Sequence, residues 1–118
     1  MSAVRDSGDE TLARDLPAKG IAVVDFWATW CGPCRGFAPV FESSAARHLD
    51  VVHLKVDVDT NQQLAATYEI RSIPTTMFVR DGVVVGRIAG ALSAARLDEL
   101  LEQTRGLDME RVREEAAR

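Results

Sequence analysis

The two cysteines of this 118-residue chain, Cys31 and Cys34, lie three positions apart in the segment Trp30-Cys31-Gly32-Pro33-Cys34. They follow an apolar run from Ile21 to Ala28 that predicts a buried strand, and Pro33 suits the first turn of a helix. The sulfurs should therefore lie at a strand-to-helix junction, where unpaired N–H groups and the helix dipole stabilise a thiolate. Cysteines one helical turn apart can also form a disulfide with little backbone movement. This spacing indicates a redox-active dithiol.

A zinc site is an alternative interpretation of the same cysteines, because His48 and His53 follow them at a spacing that fits a zinc finger. A finger needs both histidines on one helix. Here His48 ends a predicted helix, while His53 falls inside a predicted strand. We therefore expect both histidines to be structural and the chain to hold no metal.

The elements that position the dithiol are predicted by the periodicity of the apolar residues. From Pro33 to His48 these residues recur every four positions, as on one face of a helix, and Pro39 should kink that helix. The predicted inner face consists of Phe37, Phe41, Ala45 and Leu49. Residues Val51 to Val58 alternate between apolar and polar, which predicts a second long strand.

Shorter elements flank this unit on both sides. In chain order they are an edge strand at Ala3-Val4, a helix from Thr11 to Leu16, a helix through Leu64 and Tyr68 with N-caps at 59–61, a hairpin of 75–79 and 83–88 with an Asp-Gly turn, and a helix from Ser93 to Gly106. This order predicts an α/β fold with a central mixed sheet flanked by helices. The dithiol then lies at the carboxyl end of a strand, where such sheets usually carry their chemistry.

The composition is that of one globular domain, with 47% apolar and 27% charged residues and a net charge of −4. No cluster of basic residues invites a nucleic acid, and no apolar stretch is long enough to span a membrane. The polar first ten residues lack the features of a targeting segment, so we expect a cytoplasmic protein. We also expect it to be a monomer. Residues 1–105 are predicted as the domain, and residues 106–118 as a charged helical extension.

Further motifs connect the dithiol to a known family. The chain carries Val24-Asp25-Phe26-Trp27-Ala28 before the cysteine motif, then Ile73-Pro74-Thr75 and Ala89-Gly90-Ala91. These motifs, in this order and spacing, resemble thioredoxin, over about Ile21 to Leu101. The resemblance implies the thioredoxin fold, a three-layer α/β/α arrangement. It also implies a protein-disulfide reductase that carries no cofactor and is itself reduced by a flavin-dependent thioredoxin reductase.

The resemblance assigns the chemistry to four residues. Cys31, nearest the helix N-terminus, should be the exposed attacking thiolate, and Cys34 should resolve the mixed disulfide. Asp25 is an acid in an apolar strand; burial should raise its pKa, which suits accepting the proton of Cys34. Lys55 matches a lysine near the buried acid and would tune it by charge. Without the motif, Asp25 would be an edge or bulge residue, and Lys55 could equally extend its ammonium to solvent.

Substrate binding falls, by the same resemblance, on a shallow apolar rim and one proline. The rim consists of Trp30, Gly32, Pro33, Ile73, Gly90 and Ala91. Pro74 matches a cis-proline beside the dithiol, whose loop pairs with the main chain of substrate proteins. Two rival functions remain: an oxidase or isomerase with the same chemistry, and a non-catalytic scaffold. Gly-Pro between the cysteines argues against the first rival.

Three features depart from the family pattern. Gly36 lies two residues past the dithiol, where a larger residue is usual. It should loosen the first turns of the helix, and lower the stability of the helix by about 1 kcal/mol relative to alanine. The N-terminal strand is barely visible in the sequence, and the segment after Gly106 is longer than usual.

Overall fold

The computed structural model describes residues 2–117, which form one five-stranded mixed sheet with helices on both faces. The strand order is β1-β3-β2-β4-β5. The strands are β1 (Val4–Asp6), β2 (Ile21–Trp27), β3 (Val51–Asp57), β4 (Thr75–Arg80) and β5 (Val83–Ala89). The helices are α1 (Leu12–Asp15), α2 (Gly32–Arg47), α3 (Gln62–Thr67), α4 (Ala94–Arg105) and α5 (Met109–Ala116). The predicted α/β fold is confirmed.

The sheet divides the core into two layers. Strands β1, β3 and β2 run parallel, and β4 and β5 add antiparallel neighbours. One face packs against Leu12 of α1 and Leu64 after the start of α3. The other face packs against α2 and α4, through Phe37, Phe41 and Leu97 among others. Strand β2 is the central strand and lies between β3 and β4. The dithiol follows its carboxyl end and therefore lies near the middle of the sheet's width, at one end of the strands.

Local patterns predicted the hairpin and the last long helix well. Asp81 and Gly82 join β4 to β5, and both have a positive φ (52° and 80°), as the tight turn between twisted strands requires. The N-cap of α4 is Ser93, whose side chain accepts a hydrogen bond from the main-chain N–H of Arg96 at 3.1 Å. The helix α2 continues through Pro39 to Arg47.

Two expectations about the helices were wrong. Leu49 was placed on the inner face of α2, but the helix ends at Arg47 and Leu49 is 83% exposed in the turn that follows. The helix α3 was expected to be capped from residues 59–61, and Asn61 is its N-cap residue, but the Asn61 side chain makes no capping hydrogen bond. Instead the carboxylate of Asp9 accepts the main-chain N–H groups of Leu64, at 2.8 Å, and Gln63, at 3.4 Å.

The C-terminal extension forms α5 and docks on the body of the protein. Met109 is 7% exposed, and an Arg113 nitrogen lies 3.5 Å from a carboxylate oxygen of Asp81 in the hairpin turn. Arg80 donates hydrogen bonds to the carbonyls of Thr104 and Arg105, at 2.8 and 3.0 Å, just before the extension begins. The extension is therefore anchored at its start; a division of the chain into a domain and an extension stays a prediction.

Candidate active site

Cys31 and Cys34 form a disulfide at the N-terminus of α2. Cys31 is the N-cap of this helix, and its Cα lies 5.2 Å from that of Cys34. The main-chain N–H of Cys34 donates to the Cys31 sulfur at 3.2 Å. A sulfur in this position receives an N–H bond and faces the positive end of the helix dipole, and both interactions favour its thiolate once the disulfide is reduced.

The exposure of the two cysteines differs from the sequence expectation. Cys31 was expected to be the exposed member of the pair, yet it is 4% exposed and Cys34 is 3% exposed. Both belong to a small buried cluster with Ala28, against which Ile73 packs. The Cys31 sulfur lies 3.6 Å from the main-chain oxygen of Ile73. In the disulfide form, access to Cys31 is therefore limited by the segment that contains Ile73.

The loop of Ile73 and Pro74 lies beside the disulfide and is bonded to a third, distant segment of the chain. The Ile73–Pro74 peptide bond is cis, as the resemblance implies. The carbonyl of Pro74 accepts the N–H of Gly90 at 2.8 Å, so the segment after β5 is joined to this loop. Gly90 has a φ of 98°, a conformation that favours glycine. The loop that flanks the disulfide is thus joined to the segment after β5.

The predicted rim is mostly exposed around this point. Gly32, Pro33, Gly90 and Ala91 are exposed, and Ile73 is half-buried. Trp30 is 65% exposed, and its indole Nε1 donates to the Asp59 carboxylate at 2.8 Å, which orients the ring. Pro74 is buried. Asp59 was not predicted as a site residue; its sequence signal is an acid two positions after the end of β3.

Asp25 lies in the middle of β2 with a neighbour on each side, and it is neither an edge nor a bulge residue. Its register partners are Lys55 in β3 and Thr76 in β4. It is 4% exposed, and its Oδ1 has no hydrogen-bond partner within residues 2–117. Burial raises the pKa of Asp25 from 3.8 to about 7, and the charge of Lys55 opposes this only in part.

A cleft of about 110 Å³ leads to Asp25, and we call it the Asp25 cleft. Its lining residues are Asp25, Trp27, Cys34, Arg35, Ala38 and Lys55. Asp25 and Cys34 therefore line the same small space, which has room for a water molecule that relays a proton between them. Trp27 and Arg35 were not predicted as part of this site.

Lys55 is held by contacts on the outer side of the Asp25 cleft. Its side chain is 37% exposed, its Nζ lies 3.8 Å from Oδ1 of Asp6, and the same atom lies 5.2 Å from the ring centroid of Trp27. Lys55 thus lines the cleft near Asp25 and also reaches its exposed mouth. The two sequence interpretations, a lysine near the buried acid and a lysine that extends to solvent, each describe part of this position. Asp6 was not predicted as a site residue.

The histidines of the zinc alternative are bonded elsewhere. Both ring nitrogens of the buried His53 have protein partners, the Ser44 hydroxyl at 2.9 Å and the Val51 carbonyl at 3.0 Å. His48 bonds Asp98 at 2.7 Å and Arg105 at 3.0 Å. Across residues 2–117 no group of three or more His, Cys, Asp or Glu residues is arranged to hold a metal ion. None of the helices in that range is long and apolar enough to cross a membrane.

Comparisons with known proteins agree with this geometry. The family model for thioredoxin matches residues 4–103. The chain is 46% identical over 117 residues to a putative thioredoxin 2 of Streptomyces coelicolor, covering 99% of this chain and 87% of that one. It is 46% identical over 87 residues to a thioredoxin of Staphylococcus aureus, covering 71% of this chain and 82% of that one.

Solved structures give the same answer. The crystal structure of spinach chloroplast thioredoxin f has a TM-score of 0.81 and 33% identity, over 87% of this chain and 94% of that one. A thioredoxin of Malassezia sympodialis has a TM-score of 0.78 and 33% identity, over 88% of this chain and 92% of that one. With its cysteine pair at the N-terminus of α2 and the cis-proline loop beside it, this chain belongs to the thioredoxin family.

Proposed function

We propose that this chain reduces disulfides of other proteins, with Cys31 and Cys34 as the reacting groups. The observation that carries the proposal is the Cys31–Cys34 disulfide at the N-terminus of α2, next to the loop of Ile73 and Pro74. Family membership supports the same activity, that of a thioredoxin disulfide reductase. The chemistry needs no bound cofactor, because the two sulfurs carry the electrons.

The reaction begins with the reduced chain. The Cys31 thiolate attacks one sulfur of a substrate disulfide, forms a mixed disulfide and releases the other substrate sulfur as a thiolate. Cys34 then loses its proton and attacks the Cys31 sulfur, which forms the Cys31–Cys34 disulfide and releases the second substrate thiolate. Two electrons pass to the substrate; one of its thiolates takes up the proton that Cys34 gave up, and the other takes a proton from solvent.

Asp25 accepts the proton of Cys34 in this mechanism. Support comes from the Asp25 cleft, which both side chains line, and from the pKa of Asp25, which burial raises to about 7. A base with a pKa near the working pH is efficient because it is substantially ionised and still binds the proton well. Lys55 modulates this acid by its charge. Trp30, Gly32, Pro33, Gly90 and Ala91 form the surface on which the substrate docks.

The partners follow from the family. The thioredoxin family implies a thioredoxin reductase and disulfide-containing proteins as partners, and we propose that the reductase is the flavin-dependent one. We also propose that the chain acts as a cytoplasmic monomer. Which proteins it reduces is a question of surface complementarity around the rim.

Two single variants test the proposal directly. Insulin serves as a disulfide substrate, and the products are analysed by mass spectrometry. We expect Cys34→Ser to accumulate a covalent adduct between Cys31 and the substrate, since the resolving thiol is absent. Cys31→Ser should give no adduct and no reduction. If the two variants exchange these behaviours, the assignment of the two cysteines is wrong. The same holds if a variant that carries both Cys31→Ser and Cys34→Ser still reduces insulin.

The equilibrium between dithiol and disulfide separates the reductase from the rival functions. The chain is equilibrated with graded mixtures of reduced and oxidised dithiothreitol and of glutathione, and the disulfide is quantified by mass. A strongly reducing midpoint is expected for a reductase. A midpoint well on the oxidising side would favour an oxidase or isomerase, and failure to form the disulfide in any mixture would leave the scaffold.

A further inference from the structure

Four polar residues lie side by side across four neighbouring strands. Asp6 in β1 pairs with Lys55 in β3, Lys55 pairs with Asp25 in β2, and Asp25 pairs with Thr76 in β4. Residues paired in register point to the same face of a sheet. This face is the one covered by α2, since Val4 and Val23, two positions before Asp6 and Asp25, pack in the same apolar cluster as Phe37. Lys55 therefore stands between two carboxylates.

The two carboxylates have opposite surroundings. Asp25 is 4% exposed and has an unpartnered Oδ1 among the described residues, whereas the Asp6 side chain is 82% exposed. The Lys55 ammonium lies 3.8 Å from the Asp6 carboxylate. The main-chain N–H of Ser7 donates to the Lys55 carbonyl at 2.9 Å, which fixes Asp6 at this point of the strand. Of the two carboxylates, Lys55 therefore has its ion-pair contact with the exposed one, Asp6.

From this arrangement we propose that Asp6 is a positioning residue for the reaction. Its carboxylate holds the Lys55 ammonium at the outer mouth of the Asp25 cleft, and thereby limits the ion pairing of Lys55 with Asp25. Without Asp6, Lys55 would turn toward the buried carboxylate and stabilise its ionised form. The inference rests on the proposed function, in which Asp25 must bind a proton and release it again.

Other charged groups around the Asp25 cleft do not substitute for Asp6. Arg35 of α2 lines the cleft, but its guanidinium donates to the carbonyl of Thr29 at 3.1 Å. Asp57 lies two positions after Lys55 on the same strand, and its carboxylate accepts the N–H of Asp59 at 2.9 Å. Thr76, the register partner of Asp25 on β4, and Cys34 of α2, which lines the same cleft, are not cations.

The test is a direct titration of the Asp25 carboxyl carbon by NMR in the oxidised protein, which requires no enzymatic activity. In Asp6→Asn we expect the midpoint to fall by about 0.5 pH unit, the size of an exposed charge interaction. In Asp6→Lys the fall should be larger. Glu10→Gln is the matched control, because it removes an exposed acid from the same N-terminal segment, and its midpoint should equal that of the parent.

A double-variant cycle separates positioning from direct repulsion between the two acids. Lys55→Gln alone should raise the midpoint of Asp25. If Asp6 acts by holding Lys55, then adding Asp6→Asn to Lys55→Gln should change nothing further. An equal fall in the presence and absence of Lys55 would overturn the positioning role, as would an unchanged midpoint in Asp6→Asn.

The pH dependence of the reaction shows which proposal fails. In Asp6→Asn the acidic limb of the pH profile for insulin reduction should shift to lower pH, by the same number of pH units as the Asp25 midpoint in the NMR titration. If the titration moves and the rate profile does not, the proton transfer by Asp25 is wrong while the placement of Lys55 by Asp6 stands. If the titration does not move, the Asp6 inference is wrong regardless of activity.

Discussion

The sulfur of Cys31 lies 3.6 Å from the main-chain oxygen of Ile73, 42 residues further along the chain. Ile73 belongs to the loop with the cis bond, and Pro74 is tied to Gly90 by a main-chain hydrogen bond of 2.8 Å. Because this loop flanks the sulfur, the proposed function predicts that a substrate reaching Cys31 contacts it. We therefore expect the loop to take part in substrate selection, as well as covering the disulfide.

Ile73→Ala tests this contact. The side chain is half-buried and can bury further apolar surface against a substrate, so its truncation should raise KM for insulin about fivefold, a loss of about 1 kcal/mol of binding, with kcat little changed. Steady-state kinetics measure both constants. Val84→Ala is the control, since Val84 is a 42% exposed residue on β5 and should leave KM unchanged. A fall in kcat at constant KM would assign Ile73 to the chemical step instead.

Asp25→Asn should stabilise the chain at alkaline pH. Between pH 4 and 7 the folded state keeps the proton of Asp25, whereas the unfolded state loses it near 3.8. The folded state then binds more protons, so the contribution of Asp25 to the free energy of unfolding falls as pH rises through this window. Removing the charge should raise the free energy of unfolding by up to about 4 kcal/mol at pH 8, and by little at pH 4.

Urea unfolding of the oxidised protein at both pH values measures this difference. Glu10→Gln removes an exposed carboxylate and should give nearly the same free energy as the parent at both. Equal stabilisation by Asp25→Asn at pH 4 and pH 8 would mean that packing, and not the buried charge, is responsible.

Gly36→Ala should stabilise α2. Gly36 is exposed inside the helix, and apart from its two neighbours and the backbone of its own helix, a Cβ at this position meets no atom of the described chain within 4 Å. Alanine should therefore raise the free energy of unfolding by about 0.5–1 kcal/mol, measured by urea unfolding. Gly82→Ala is the matched control and should have the opposite effect, because Gly82 has a φ of 80° in the hairpin turn. We expect this variant to lower the free energy of unfolding by about 1 kcal/mol. A destabilised Gly36→Ala would contradict the idea that Gly36 loosens this helix.

Met109→Ala tests whether the C-terminal extension is held against the body in solution. Met109 is 7% exposed, and its truncation should cost about 2 kcal/mol in the free energy of unfolding while kcat for insulin stays unchanged. Glu114→Ala, at an exposed position of the same helix, is the control and should cost less than about 0.5 kcal/mol. Equal stability of the two variants would show that α5 does not dock as described.

The structure bears out several of the predictions that rest on local patterns. The strand before Cys31, the helix after it, the Asp81-Gly82 turn and the Ser93 cap each depend on residues within one or two turns of chain. Their physical causes, such as backbone freedom, capping and the alternation of apolar residues, act over that distance. For the same reason Leu49 was placed wrongly: the periodicity continues past His48, but the helix does not.

The amino-acid sequence by itself thus determined the order of the elements and the pair of cysteines at the start of α2. Only the tertiary structure decided what surrounds that pair. The contact of Cys31 with Ile73, the cap that Asp9 supplies to α3 and the position of Lys55 between Asp6 and Asp25 join residues that are distant in the chain. The last of these depends on which strands are neighbours and in what register, because a shift of one residue would turn Asp6, Lys55 or Asp25 to the other face of the sheet.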